Sequence, residues 1–247
     1  MIRLTANMRW LPVAVLLCIT DTFAAERALR FSVSESWAMP MIQIEHGQAV
    51  GGILFDLHTR LAEKVGRQAE QLVLPRLRIQ QMLVRGELDV RCYVNPSWLT
   101  ESHHQYIWSV PFMVQRDMLV ARTAQSVTTD QLHDTLIGTV LGFTYPTLTA
   151  RFDSGDLQRD DARTQELALA KLEARRYDYA ISNELSLHWF NRHQTAPHRL
   201  LAVQELAADV VACIVRDEPG VPTMPLLRAL VQMKQAGEFD AILARYR

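Results

Sequence analysis

Residues 51–66, GGILFDLHTRLAEKVG, decide the architecture. A glycine pair opens the stretch and Gly66 closes it. Between them Leu54, Leu57, Leu61 and Val65 recur every three or four residues, the apolar stripe of a helix that lays one face on a core. Ahead of it, LRFSV (29–33) alternates Leu29, Phe31 and Val33 with polar neighbours, the period of a strand. Behind it, QLVLP (71–75) reads as a short strand. RIQQMLVRG (78–86) then reads as a helix through Leu83 with a glycine break, and a third strand follows near Asp89 to Val94. Strand, helix, strand, helix, strand at this spacing predicts a mainly parallel sheet with helices on its faces.

The pattern then restarts. RDMLVAR (116–122) is strand-like, LIGTVLGFTYP (136–146) runs from a strand into a glycine turn, TQELALAKLEARR (164–176) is a helix, and YDYAISN (177–183) is a strand. DVVACIVRD (209–217) predicts one more strand, and residues 224–247 predict two short helices parted at Gly237. Two α/β units of about 90 residues with a carboxy-terminal remainder are the simplest division.

The chain has 247 residues, 26 basic against 27 acidic side chains, and 21% charged residues. Such a balance lacks the basic face of a nucleic-acid binder, so no nucleic-acid partner is expected. Residues 1–25 place Arg3 and Arg9 before an apolar run from Leu11 to Ile19, then small residues ending at Ala24 and Ala25, the layout of a cleaved secretory signal peptide. The run is too short for a membrane-spanning helix, which needs about 20 residues, and Leu17 before Cys18 argues against a lipoprotein site. Two cysteines remain beyond this leader. In an oxidising compartment Cys92 and Cys213 either close a disulfide or stay as separate buried thiols.

The motif order resembles the extracytoplasmic solute-binding proteins of the polar amino acid ABC-transporter type, bacterial solute-binding protein family 3. The likeness covers essentially all of the chain after the leader. It is carried by Trp37, Pro40 and Met41, then GGILFDL with Asp56, RGELDV, WSVPF (108–112), IGTVLGFT, DYAISN and LVQMKQAGEFDAILARY. The resemblance implies a two-lobe periplasmic-binding-protein type II fold, two mainly parallel sheets flanked by helices and joined by two hinge strands. Lobe 1 would hold residues 26–113 and 209–247, and lobe 2 residues 114–208. The crossings would fall near Met113–Gln115 and Ala207–Val210. In that topology the returning strand lies antiparallel beside the strand after Asp89, which favours a Cys92–Cys213 bridge.

The implied function is capture of a small polar solute, an amino acid or related compound, in an interlobe cleft. The implied protein is a periplasmic monomer that serves a membrane transporter permease or a sensor, without cofactor, metal or catalytic residues. Two positions depart from the family. The arginine that would fork onto a ligand carboxylate falls at Glu101 or Ser102, and the acid that would take the ammonium falls at Asn183, with Glu184 beside it.

Other residues stand in the implied cleft, each with a plainer reading alongside. Arg76 faces the cleft and holds an anionic group, or is a solvated arginine at a helix start. Glu35 is a ligand contact or a loop carboxylate, and Trp37 an aromatic wall or a surface packing ring. Tyr93, Asn95 and Trp98 follow the third strand at the carboxyl end of the sheet, where open α/β folds bind ligands; Tyr93 reads equally as core. Gly142, Phe143 and Thr144 lie on a turn whose backbone N–H groups suit an anion, or form a simple strand-to-helix turn. His103 and His104 are adjacent and diverge, poor geometry for one metal ion. An elimination or dehydration enzyme on the same scaffold, or a sensor for a separate signalling partner, are the alternatives.

Overall fold

The structure, a computed structural model, describes residues 26–99, 104–124 and 126–246. The expected leader and the positions Glu101, Ser102 and His103 lie outside these residues. The first half runs β1 (Leu29–Ser34), the hairpin β2 (Gln43–Glu45) and β3 (Gln48–Gly51), α1 (Ile53–Lys64), β4 (Ala69–Leu74), α2 (Arg76–Val84), β5 (Val90–Val94) and β6 (Tyr106–Trp108). The chain continues through β7 (Met113–Ala121), β8 (Thr135–Val140), α3 (Thr149–Asp153), β9 (Leu157–Ala162), α4 (Gln165–Glu173) and β10 (Tyr179–Asn183). It ends with α5 (Glu184–Arg192), β11 (Leu201–Arg216), α6 (Thr223–Gln235) and α7 (Glu238–Ala244).

The strand order is β4-β1-β5-β11-β7-β10-β8-β9, with β6 also pairing β11. Both ends of this order are parallel: β1 with β4 and β5, and β8 with β9 and β10. The middle is antiparallel, because β7 and β11 run between the halves. One strand serves both lobes: Leu201 to Val211 of β11 pair with β7, and Ala212 to Arg216 pair with β5 and β6. The fold is thus the two-lobe α/β type.

Each half has its own core. Phe31, Leu54, Leu57, Leu61 and Cys92 pack against Leu226, Leu230 and Met233 of α6 in the first. Leu119, Ile137, Leu157 and Ile181 pack on one face of the second sheet, and Val120, Leu169, Leu172 and Leu187 on the other. The stripe read in 51–66 is therefore the buried face of α1. Gly52 starts that helix at φ 106°, where an added Cβ would lie 2.6 Å from Ile42 Cα, so no other residue fits the turn.

Several elements were not legible in advance. The β2–β3 hairpin, β6, α3, β9 and α5 are additional. β9 reads LQRDDA, polar because it is a sheet edge with one free side. The third strand starts at Val90, and the fully buried Asp89 before it accepts from the Arg27 guanidinium Nη1 at 2.6 Å and from the Arg30 backbone N–H at 2.8 Å. Cys92 and Cys213 face each other across β5 and β11 and form a disulfide that bridges 121 residues.

Candidate functional site

The residues gather where β5, β7, β10 and the starts of α2 and α4 meet between the lobes. One cavity is lined by Trp37, Arg76, Tyr93, Trp98, Gln115, Asp117, Phe143, Thr144, Tyr145, Gln165 and Asn183. Its free volume is about 40 Å³, well below the several hundred Å³ of a typical ligand pocket. The lobes are closed on one another, and their own side chains fill most of the space.

Tyr93 owes its place to a β-bulge. Val94 pairs with Ala212 and Cys92 with Cys213, so Tyr93 is the extra residue of β5. Its φ is 60°, a conformation that costs a side-chain-bearing residue roughly 1–3 kcal/mol. The bulge turns the ring into the cavity, 5.8 Å from Trp37 and 6.0 Å from Trp98 between ring centres. The phenol oxygen is buried with no hydrogen-bond partner, and burial and the charges of Asp117 and Asp209 raise its pKa well above the ordinary value.

Arg76 and Asp117 supply opposite charges. Arg76 begins α2, and its guanidinium lies 5.2 Å from the centre of the Phe143 ring in the other lobe. Burial pushes its pKa down, and no carboxylate among the described residues pairs with it. Asp117 stands on β7 opposite Asn183 of β10. Burial first, then the charge of Asp209, push its pKa up to about 7, although the Gln115 amide donates a hydrogen bond to it.

Lobe 2 completes the wall. Asn183 caps α5, its side-chain oxygen accepting from the Ser186 N–H at 2.8 Å. The asparagine at the position where the resemblance places an acid thus serves as the helix cap. Gln165, at the start of α4, donates its amide to the Ile181 carbonyl at 2.9 Å. Its backbone N–H reaches the Ser36 carbonyl at 3.3 Å, a direct tie between the halves.

Of the residues singled out in the sequence, Trp37, Arg76, Tyr93, Trp98, Phe143, Thr144 and Asn183 line this one cavity. Three do not. Asn95 has its amide on the Val210 carbonyl at 2.8 Å and its oxygen on the Ser97 N–H at 2.9 Å, so it braces the hinge strand. Glu35 is exposed on the loop after β1. Gly142 takes φ 75° and packs behind the Arg76 side chain, and the Phe143 N–H of its turn is spent on the Val140 carbonyl. Gln115, Asp117, Tyr145 and Gln165 were missed. The first two carried a signal: polar residues two apart on a strand share a face.

No protein-family model matches the chain, and no curated protein sequence does. Solved structures do. The arginine-, lysine-, histidine-binding protein ArtJ from Geobacillus stearothermophilus is 14% identical, with 89% of this chain and 95% of that one aligned at a TM-score of 0.69. An ancestral amino acid-binding protein, a precursor of cyclohexadienyl dehydratase, is 16% identical over 89% and 95% of the two chains, TM-score 0.71. A histidine kinase sensor domain similar to periplasmic binding proteins is 18% identical over 90% and 96%, TM-score 0.70. By its architecture the chain has the fold of the periplasmic amino-acid-binding proteins.

Proposed function

We propose that the protein is an extracytoplasmic solute-binding protein whose cleft captures a small zwitterion, an amino acid or a related compound. One observation carries the reading: a guanidinium without a carboxylate partner and a carboxylate stand in the same aromatic-walled cavity, Arg76 on one lobe and Asp117 on the strand that leaves it. Taking a zwitterion out of water requires a partner for each charge. Arg76 forks onto the carboxylate, Asp117 takes the ammonium, the free Tyr93 hydroxyl donates to the solute, and Trp37, Trp98 and Phe143 exclude water. Lobe 1 comprises 26–113 with 209–247 and lobe 2 comprises 114–208; their closure commits the solute. Residues 1–25 direct export to the periplasm, and the loaded monomer is handed to a transporter permease or read by a sensor.

Thermal melting against L-amino acids, their amides, the matching amines and the matching carboxylic acids tests this. Solutes with both charges are expected to raise Tm, since only the folded state binds them. Equal stabilisation by single-charge analogues, or none by any zwitterion, overturns the reading. Elimination chemistry is a second reading, supported by Asp117, a carboxyl with pKa about 7 inside the cavity and therefore able to exchange a proton near neutrality. Proton NMR of each stabilising solute incubated with the protein would show turnover on that reading and an unchanged spectrum on the first.

A further inference from the structure

Behind the cavity, on the face of the first sheet that α2 covers, lies a group of buried donors without acceptors. Phe31 and Val33 of β1 and Val90 and Cys92 of β5 turn to the α1 and α6 side. Ser32 and Arg91 therefore lie on the opposite face, on neighbouring parallel strands with Phe31 beside Val90. Arg91 sits across from Ile214, which packs with Ile79 and Leu83 of α2. Arg91 is 3% exposed and Ser32 0%. Neither the Arg91 Nε nor the Ser32 hydroxyl has a hydrogen-bond partner, and no carboxylate among the described residues pairs with Arg91. The nearby buried acid, Asp89, is committed to Arg27 and Arg30.

With Asp89 committed elsewhere, the charge that acts on Arg91 among the described residues is of the same sign. Burial, and then the charge of Arg76, lower its pKa to about 9. The first turn of α2 carries Arg76 and Arg78, has no acidic residue and no side-chain cap. Cations at a helix N-terminus oppose its dipole, whose positive end points the same way. A buried guanidinium without a counter-charge is costly, and a second one beside it adds repulsion. The same arrangement becomes favourable around a negative group.

We propose that Arg91, Ser32 and the Arg76 end of α2 form a binding site for a compact anion, distinct from the carboxylate position in the cleft. The shared chemistry is a single negative charge of halide or carboxylate size, supplied by a free inorganic anion or by a second acid group of a cleft solute. The site does not depend on the proposed solute function, because a free anion fills it in the absence of solute.

Crystals of the solute-free protein soaked in sodium bromide are expected to show an anomalous peak within hydrogen-bond distance of Arg91. In solution, replacing sodium chloride by sodium gluconate at fixed ionic strength is expected to lower Tm of the natural protein, and Arg91→Met is expected to abolish that response. Ser32→Ala, which removes a single oxygen, is expected to weaken bromide at least threefold and serves if the arginine variant does not fold. Loss of the bromide peak on adding a dicarboxylic amino acid identifies the solute's acid group as the occupant, and its persistence identifies a free ion. Absence of any bromide peak at Arg91, or equal anion responses in the natural protein and Ser32→Ala, overturns the proposal.

Discussion

Asp117 is costly to the empty protein as a buried carboxyl, and on the proposed function it serves the loaded one. The folded state holds its proton up to about pH 7, while the unfolded chain releases it in the ordinary carboxylate range. Its contribution to stability is therefore full in acid and is lost as pH rises from about 4 to about 7. Asp89 has the opposite sign: hydrogen bonds from Arg27 and Arg30 outweigh its burial and hold its pKa down, so its contribution is present at neutrality and lost in strong acid. For Asp117, an ammonium in the cleft favours the ionised form. Affinity for a zwitterion should rise as pH passes from about 6 to about 8, with proton release on binding that calorimetry in two buffers can read. Asp117→Asn should raise Tm of the empty protein at about pH 8, weaken the zwitterion and flatten the pH profile. A flat profile in the natural protein would remove Asp117 from the site. Arg76→Ala should weaken a carboxylate-bearing solute more than tenfold, about 1.4 kcal/mol; unchanged affinity by calorimetry would exclude Arg76.

At the scale of elements, two devices hold the cavity in place. The first is the bulged end of β5, tied to β11 by the disulfide. Ser109 adds to this seam, its N–H donating to the Cys213 carbonyl at 2.8 Å and its hydroxyl accepting the Cys213 N–H at 3.0 Å. A bridge over so long a loop constrains the unfolded chain, and its removal should cost roughly 2–5 kcal/mol. Replacing both cysteines by alanine should lower the urea midpoint accordingly, and an unchanged midpoint would contradict that role. The second is the contact of β8 with the loop after α4. Gly138 lies against the buried Tyr177 ring, whose hydroxyl donates to the Ala168 carbonyl at 2.7 Å. A methyl group there would overlap the ring, so Gly138→Ala should destabilise by roughly 1–3 kcal/mol, measurable by denaturant unfolding.

For the molecule as a whole, opening breaks few direct ties. The Gln165 N–H to Ser36, Arg76 over Phe143, and Arg192 to the Tyr246 carbonyl at 3.4 Å cross between the halves. The sheet itself is continuous through β7 and β11. On the proposed function, hinge bending about these two strands admits the solute, and the side chains that fill the empty cavity shift to make room for it on closure. Small-angle scattering should find the free protein larger in radius of gyration than the protein saturated with a stabilising zwitterion, and equal radii would sink the clamp.

The amino-acid sequence by itself determined the alternation of elements, because period 2 and period 3.6 are local properties of the chain. It placed α1, α4, α6 and the main strands, and marked Tyr93 at the carboxyl end of the third strand, while Trp37 and Arg76 stood out through the family resemblance. Two things were decided by tertiary structure. Asp117 reads as an ordinary strand residue until β7 is laid beside β11 and the charge of Asp209 acts on its buried carboxyl. Arg91 reads as one more charge in a strand until the pairing of β1, β5 and β11 buries it beside Arg76. In each case the meaning of the residue is a charge or hydrogen bond supplied by a segment distant in sequence, and no local pattern encodes which segment that will be.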